Sequence, residues 1–232
     1  ESAGATNVNG TTSWDRTNYF ETVPRQYLEL ALWIESDRMG YMLDTLSADR
    51  LEVQRGVVKN ERRQSFENAP YGPSSLALSD ALFPDGHPYH GAIIGSMKDL
   101  DAAKMSDVEA FFRAYYAPSN ATLVLAGDFE LRDAKRMVRR YFGPLEKKAK
   151  PARNTTVTPA LSQLTRLTVD EPVDLAKVSM GFITPPAYST DEPALELASL
   201  ILAGGKATRL YKKLVVEKKL ASEVSAELES NQ

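Results

Sequence analysis

The chain has 232 residues, 43% of them hydrophobic and 25% charged, which is the composition of an ordinary folded protein with room for one large domain or two smaller ones. A net charge of −3 without a block of Lys and Arg excludes the clustered basic surface that nucleic-acid binding needs. The absence of cysteine excludes disulfides and thiolate ligands, and no apolar run reaches the roughly 20 residues of a membrane span.

In chain order, the first segment contains the turn dipeptide Asn9-Gly10 and then a Thr- and Tyr-rich region with partial alternation, which predicts strands. Pro24 opens a predicted helix that runs to about Gly40. Ser47 caps a second helix that runs to Asn68. The patterns then predict a helix over 74–82, a loop over 83–96, a helix over 106–116 beginning at a Ser106–Glu109 capping box, a buried strand over 121–129 and a helix over 131–142.

The segment 146–163 is charged and then rich in Pro and Thr, without apolar periodicity, which predicts a linker. Beyond it, the patterns predict strands over 164–169, 176–184 and 221–228 and helices over 191–202 and 208–218.

The helix predicted over 47–68 carries a carboxylate, Glu61, on its apolar side. The stripe consists of Leu51, Gln54, Val57, Val58, Glu61 and Ser65, and the cations Arg55, Lys59, Arg62 and Arg63 fall mostly outside it. We expect the stripe to be buried, and a buried carboxylate needs an arginine or a metal ion because burying an unpaired charge costs several kcal/mol or more. The alternative is a surface glutamate beside arginines, and spacing alone does not decide between them.

The two histidines, His87 and His90, are three residues apart in the Gly- and Pro-rich loop, a spacing that some metal sites use. The alternative is a pair of loop histidines with local hydrogen bonds. No Gly-x-Ser-x-Gly elbow and no phosphate loop occurs, so serine hydrolase and nucleotidase chemistries have no support.

One ordered series of motifs runs along nearly the whole chain. It comprises Asn9-Gly10-x-Thr12 with Asp15-x-Thr17-x-Tyr19, then LWIESDRMG, QRGVVKNERR, HPY, IIGS, YYAPSNATLVLAGDF and TRLYKKL. Taken together, these motifs resemble the pitrilysin and insulinase family of zinc endopeptidases.

The family signature, His-x-x-Glu-His, does not occur in this sequence. The resemblance implies that the motif lies just upstream of Glu1, so that this chain contains no catalytic residue, and that Glu61 is the third zinc ligand. A further glutamate that is common in the family falls on Gln54, which weakens the case for a second acid. Because one ligand cannot hold the ion, we expect the chain alone to bind zinc weakly or not at all.

The resemblance also implies that Asn9, Gly10 and Thr11 form an edge strand to which the substrate backbone pairs. The alternative is an ordinary hairpin with an Asn-Gly turn. An Arg and a Tyr that family members carry in their second repeat fall on Val215 and Ser222. A second homologous half, on the same chain or in a partner subunit, is therefore expected to close the chamber around the substrate.

The expected fold is α+β, with helices packed on a mixed, mostly antiparallel sheet in two similar units. The domains are a first, catalytic-type domain over 1–146 lacking its N-terminal part, a linker over 147–163, and the start of a non-catalytic domain over 164–232. The implied function is a zinc metalloendopeptidase acting on peptides or small unfolded proteins. The alternative is a family member without catalysis that serves as a partner or scaffold subunit. Bacterial relatives imply a periplasmic or otherwise extracytoplasmic location.

Overall fold

The computed structural model describes residues 2–152, 159 and 161–231, which form two compact units. The first unit contains the N-terminal part of the chain together with Thr165–Ser179, and the second contains Met180 and the residues after it. The predicted linker falls partly on residues 153–158 and 160, which lie outside the described residues. The domain boundaries therefore stay a prediction.

In the first unit, a two-stranded hairpin precedes a series of helices. Strand β1 (Thr6–Thr12) pairs antiparallel with β2 (Thr17–Thr22), and the helices are α1 (Leu28–Gly40), α2 (Ala48–Arg62), α3 (Gly72–Leu82), α4 (Met97–Ala102), α5 (Met105–Tyr115) and α6 (Leu131–Phe142). The second unit contains α7 (Glu192–Ala203) and a π-helical turn, Tyr211–Glu217. Helices combined with an antiparallel sheet confirm the α+β class.

The core of the first unit lies where α1 packs against α6. Leu32 and Ser36 of α1 and Ala134 of α6 are buried. The Ser36 hydroxyl donates to the Trp33 carbonyl at 2.8 Å, so the polar group in this core is satisfied. At the rim, the Glu29 carboxylate of α1 accepts hydrogen bonds from Arg140 and Tyr141 of α6, at 2.9 and 2.8 Å.

The dipeptide Asn9-Gly10 lies inside β1 and not at the hairpin turn. Gly10 is opposite Tyr19 on β2. The hairpin turn follows the last residue of β1, and there the Ser13 N–H donates to the Arg16 carbonyl at 2.8 Å. A tertiary contact holds this turn, because the Tyr89 hydroxyl donates to Asp15 at 2.7 Å. The predicted Asn-Gly turn is therefore wrong.

The sheet is smaller than the sequence predicts. Within the described residues, the segments 121–129, 164–169, 176–184 and 221–228 form no strand, and β1 pairs with β2 alone. Their apolar side chains are uncovered, with Val124 77% and Val178 85% exposed. A strand exists only through hydrogen bonds to a neighbour, and the described part of the chain provides none for these segments.

Helix α4 lies where the sequence patterns predict a loop, although Ser96-x-x-Asp99 is a recognisable cap. The Ser96 hydroxyl accepts from the Asp99 N–H at 3.0 Å and donates to its carboxylate at 2.7 Å. The capping box predicted at Ser106 is wrong. Helix α5 begins at Met105, since the Asp107 carboxylate accepts the Lys104 N–H at 2.8 Å and the cap lies two residues before the predicted one.

Candidate metal-ligand helix and peptide-binding ribbon

Helix α2 and the π-helical turn that follows it, Arg63–Glu67, confirm the helix predicted to run from Ser47 to Asn68. The predicted cap is also confirmed, because the Ser47 hydroxyl accepts the Arg50 N–H at 3.4 Å. Glu61 lies in the last α-helical turn, beside the π turn.

The Glu61 side chain is exposed and has no hydrogen bond or ion pair with the described residues. Two valines on the same face, Val53 and Val57, are 70% and 51% exposed. They precede Glu61 by eight and four residues, so the three side chains share one side of the helix. Two exposed valines thus lie on the same side of α2 as a carboxylate that has no partner among the described residues.

Three cations on the opposite side of α2 bind one neighbouring segment, residues 95–103. Arg55 donates to the carbonyls of Leu100 and, at 2.7 Å, of Ala103. Lys59 pairs with Asp101 at 2.5 Å.

The third cation, Arg62, donates to the Gly95 carbonyl at 2.5 Å and pairs with Glu67 at 3.3 Å. The Arg55 and Arg62 side chains are only 13% and 11% exposed. We call these three residues the α2 clamp. Together they fix the helix against the segment that carries α4.

The clamp packs a different side of α2 from the predicted one. Gln54, Val57, Glu61 and Ser65 of the predicted buried stripe are exposed and its other two members are only half-buried, whereas the cationic side is packed. The physical reason is that arginine forks satisfy free carbonyls at both ends of α4, a partner that periodicity does not reveal. Glu61 is thus a surface glutamate, as the alternative has it, but among the described residues it pairs with none of its neighbouring cations, which bind Asp101, Gly95 and Asn60.

A zinc ion needs about four ligands, three of them normally from protein. Among the described residues, no group of three or more His, Asp or Glu side chains is arranged to hold a metal ion. Glu61 fits as one carboxylate donor, since its oxygens are uncommitted, but the remaining donors must come from other residues.

The two histidines are committed to local bonds. His87 Nδ1 accepts the Tyr89 N–H at 3.0 Å, and its ring stacks on Phe83 with centroids 4.9 Å apart. His90 Nδ1 lies 2.7 Å from the Phe83 carbonyl, and its Nε2 lies 3.0 Å from Asp85. The hydrogen bond to Phe83, with help from Asp85, raises the pKa of His90. These are the local hydrogen bonds that the loop-histidine alternative predicts.

The residues predicted to bind substrate, Asn9, Gly10 and Thr11, are exposed in the middle of β1. The Gly10 N–H donates to the Asn9 side-chain oxygen at 2.8 Å. In an antiparallel pair, alternate residues direct their backbone groups away from the partner strand. Within the described residues, β1 pairs with β2 alone, so its other edge is free for another strand to pair with.

One carboxyl of the hairpin, that of Glu21 on β2, has a raised pKa. Burial raises the pKa of Glu21 on β2, Glu35 adds to the effect, and Arg38 opposes it. Because the pKa in the folded state is the higher one, the contribution of Glu21 to stability is full below the ordinary value of 4.5 and is lost as pH rises through the raised pKa.

Glu21→Gln, which is neutral at every pH, is therefore expected to raise the free energy of unfolding by about 0.5 kcal/mol near pH 7, a figure reduced for partial exposure of the carboxyl. No gain is expected well below the ordinary carboxyl pKa. Urea unfolding at the two pH values measures this, and an equal gain at both would contradict it.

The profile described as Peptidase M16 inactive domain matches residues 103–232. Zinc protease PqqE of Helicobacter pylori is 29% identical over 218 residues, which cover 93% of this chain and 48% of that protein. This chain thus spans about half the length of that relative.

Two solved structures share the fold. A protease from Helicobacter pylori has a TM-score of 0.75 at 23% identity. The match covers 100% of this chain and 56% of that one. The peptidase M16 inactive domain from Pseudomonas fluorescens has a TM-score of 0.72 at 22% identity, with 99% of this chain and 55% of that chain covered.

These findings define an α+β domain of a protease family. The chain belongs to the peptidase M16 family, which confirms the resemblance to pitrilysin and insulinase. The profile match starts at residue 103, so β1 and Glu61 both precede the part that matches the inactive domain. Among the described residues, no helix has the length and apolarity required to cross a bilayer.

Proposed function

We propose that this chain is part of a zinc metalloendopeptidase, in which Glu61 supplies one zinc ligand and the free edge of β1 pairs with the peptide to be cleaved. The observation that carries the proposal is the uncommitted Glu61 carboxylate, since the α2 clamp holds the neighbouring cations on the other side of the helix. Val53 and Val57 lie on the same side of the helix as Glu61 and are exposed. Exposed apolar side chains of this kind indicate a surface that a further segment covers.

The total exposed area supports the same interpretation. The chain exposes 17402 Å², whereas two separate compact units of this total mass would expose roughly 12,000 Å². The difference is far larger than a typical interface of about 1,600 Å². We infer that other residues, from the same protein or a partner half, cover the apolar rows of α2 and of the unpaired segments.

Within this proposal, zinc would act as a Lewis acid that polarises the scissile carbonyl and acidifies water. The roles of this chain are to supply an anionic oxygen at Glu61 and to orient the peptide along β1. The general base and the other zinc ligands would come from residues before Glu1. Backbone pairing with β1 does not depend on the side chains of the bound peptide. The proposed substrates are therefore peptides or small unfolded proteins of varied sequence.

The test compares the full-length protein with the 232-residue chain. We expect the full-length protein to bind zinc stoichiometrically and to cleave an unstructured peptide, with activity lost to a chelator and restored by zinc. The 232-residue chain should do neither. Metal analysis and a fluorogenic peptide assay measure both, and tight zinc with turnover in the 232-residue chain would contradict the proposed division of ligands.

A second candidate is a partner or scaffold subunit without catalysis. The match of residues 103–232 to the inactive domain favours it. It predicts that the full-length protein binds peptide but holds no zinc and cleaves nothing, so the same experiment distinguishes the two. The extracytoplasmic location is retained as part of the proposal and is tested by cell fractionation.

A further inference from the structure

The hairpin formed by β1 and β2, here called the ribbon, is held mainly by individual side chains. All of β1 and most of β2 are exposed, and an isolated two-stranded hairpin is at best marginally stable in water. The orientation of its free edge therefore depends on the few side chains that tie it to the rest of the first unit.

The first tie is at the middle of the ribbon. The Tyr19 hydroxyl of β2 lies 2.5 Å from the hydroxyl of Tyr116, the residue that follows α5. Arg38 of α1 lies 4.1 Å from the centre of the Tyr19 ring, and Glu35 pairs with Arg38 at 2.9 Å. Burial, with help from the bond to Tyr19, raises the pKa of Tyr116, so this hydroxyl stays neutral and able to donate.

This tie lies directly across from the proposed pairing position. Gly10 is the register partner of Tyr19, and a Cβ at Gly10 would lie 3.1 Å from the Tyr19 ring. The ring thus packs against the bare Gly10 backbone. Any movement of Tyr19 would be transmitted to the part of β1 that presents the free edge.

The second tie is at the tip of the ribbon. The Tyr89 hydroxyl donates to the Asp15 carboxylate at 2.7 Å, and its ring lies 5.4 Å from the Trp14 ring. Tyr89 is itself fixed, because its N–H donates to His87 and its ring contacts Phe83 edge-on at 5.5 Å. The loop with the two histidines thus holds the tip.

We propose that Tyr116 and Tyr89 are positioning residues for peptide binding, whose hydroxyls fix the ribbon at its middle and at its tip so that β1 presents a rigid free edge. This inference rests on the proposed function, because it assigns the free edge to peptide. Its physical basis is preorganisation: an edge that is already ordered loses less conformational entropy when a peptide pairs with it.

The test uses phenylalanine variants of the full-length protein, with zinc removed by a chelator so that bound peptide is not cleaved. Tyr116→Phe and Tyr89→Phe each remove one hydroxyl and keep the ring. Tyr115→Phe is the matched control, since the adjacent Tyr115 is exposed and its hydroxyl makes no hydrogen bond to the described residues.

Binding of a labelled unstructured peptide is measured by fluorescence anisotropy, well below the unfolding temperature of every variant. We expect Kd to rise about 3- to 10-fold in Tyr116→Phe and in Tyr89→Phe, the equivalent of one net hydrogen bond, and to stay unchanged in Tyr115→Phe. Hydrogen exchange of residues 6–12 should quicken in the first two variants only.

Wild-type protein that binds no peptide would overturn the proposed function and this inference with it. Peptide binding that is equally tight in all four proteins would overturn this inference alone. Unchanged hydrogen exchange in Tyr116→Phe and Tyr89→Phe would also overturn it, because the hydroxyls would then not fix the ribbon.

Discussion

Glu61→Gln is expected to lower the zinc affinity of the full-length protein by about 100-fold or more, since the loss of an outer-shell partner alone costs 10- to 100-fold. Glutamine keeps the size of the side chain and replaces an anionic oxygen by a neutral one. Because Glu61 has no bond to the described residues, the variant should fold as the wild type does. Competition with a chromophoric chelator measures the affinity, and peptide hydrolysis should fall in parallel.

The matched control is Asp49→Asn, which removes a carboxylate from the first turn of the same helix. Its expected effect is a loss of about 0.3–1 kcal/mol of stability through the helix dipole, without a change in zinc affinity. If Glu61→Gln retains zinc as tightly as Asp49→Asn does, Glu61 is not a ligand. The proposed set of zinc ligands would then be wrong.

Arg55→Met is expected to lower the free energy of unfolding by about 2–4 kcal/mol, because it leaves two carbonyls of the α4 region without their charged donor. Methionine preserves much of the aliphatic stem, so the loss reports on the guanidinium. Arg55→Lys should give an intermediate loss, since lysine keeps the charge but cannot form the planar fork. Denaturant unfolding measures the differences, and hydrogen exchange over 95–103 localises them.

Arg63→Met serves as the control for this series. Arg63 is next to the clamp, but its hydrogen bond is to Asn60 on the same helix, at 2.9 Å. The expected loss is below about 0.5 kcal/mol. Equal losses in Arg55→Met and Arg63→Met would show that the clamp adds no stability beyond that of an exposed charge.

Local patterns in the sequence were sufficient for most of the helices. The cap at Ser47 and the stop before Asn68 define α2 and the π turn, and Pro24 marks the approach to α1. These signals are local because each backbone N–H of a helix donates to a carbonyl only four residues earlier in the chain. The ordered motifs were sufficient for the family as well.

The sequence by itself could not determine which side of α2 is packed. Apolar periodicity favoured the side with Val57 and Glu61, but the carbonyls around α4 bind Arg55 and Arg62 on the other side, and those partners are some 33–48 residues away in sequence. The hairpin turn was decided in the same way, since the contact of Asp15 with Tyr89 spans 74 residues. Strands such as 121–129 depend on neighbours even more, because a backbone in extended form satisfies none of its own hydrogen bonds. Helices therefore followed from the local sequence, whereas the exposed Glu61, the free edge of β1 and the extent of the sheet were decided by contacts between distant segments.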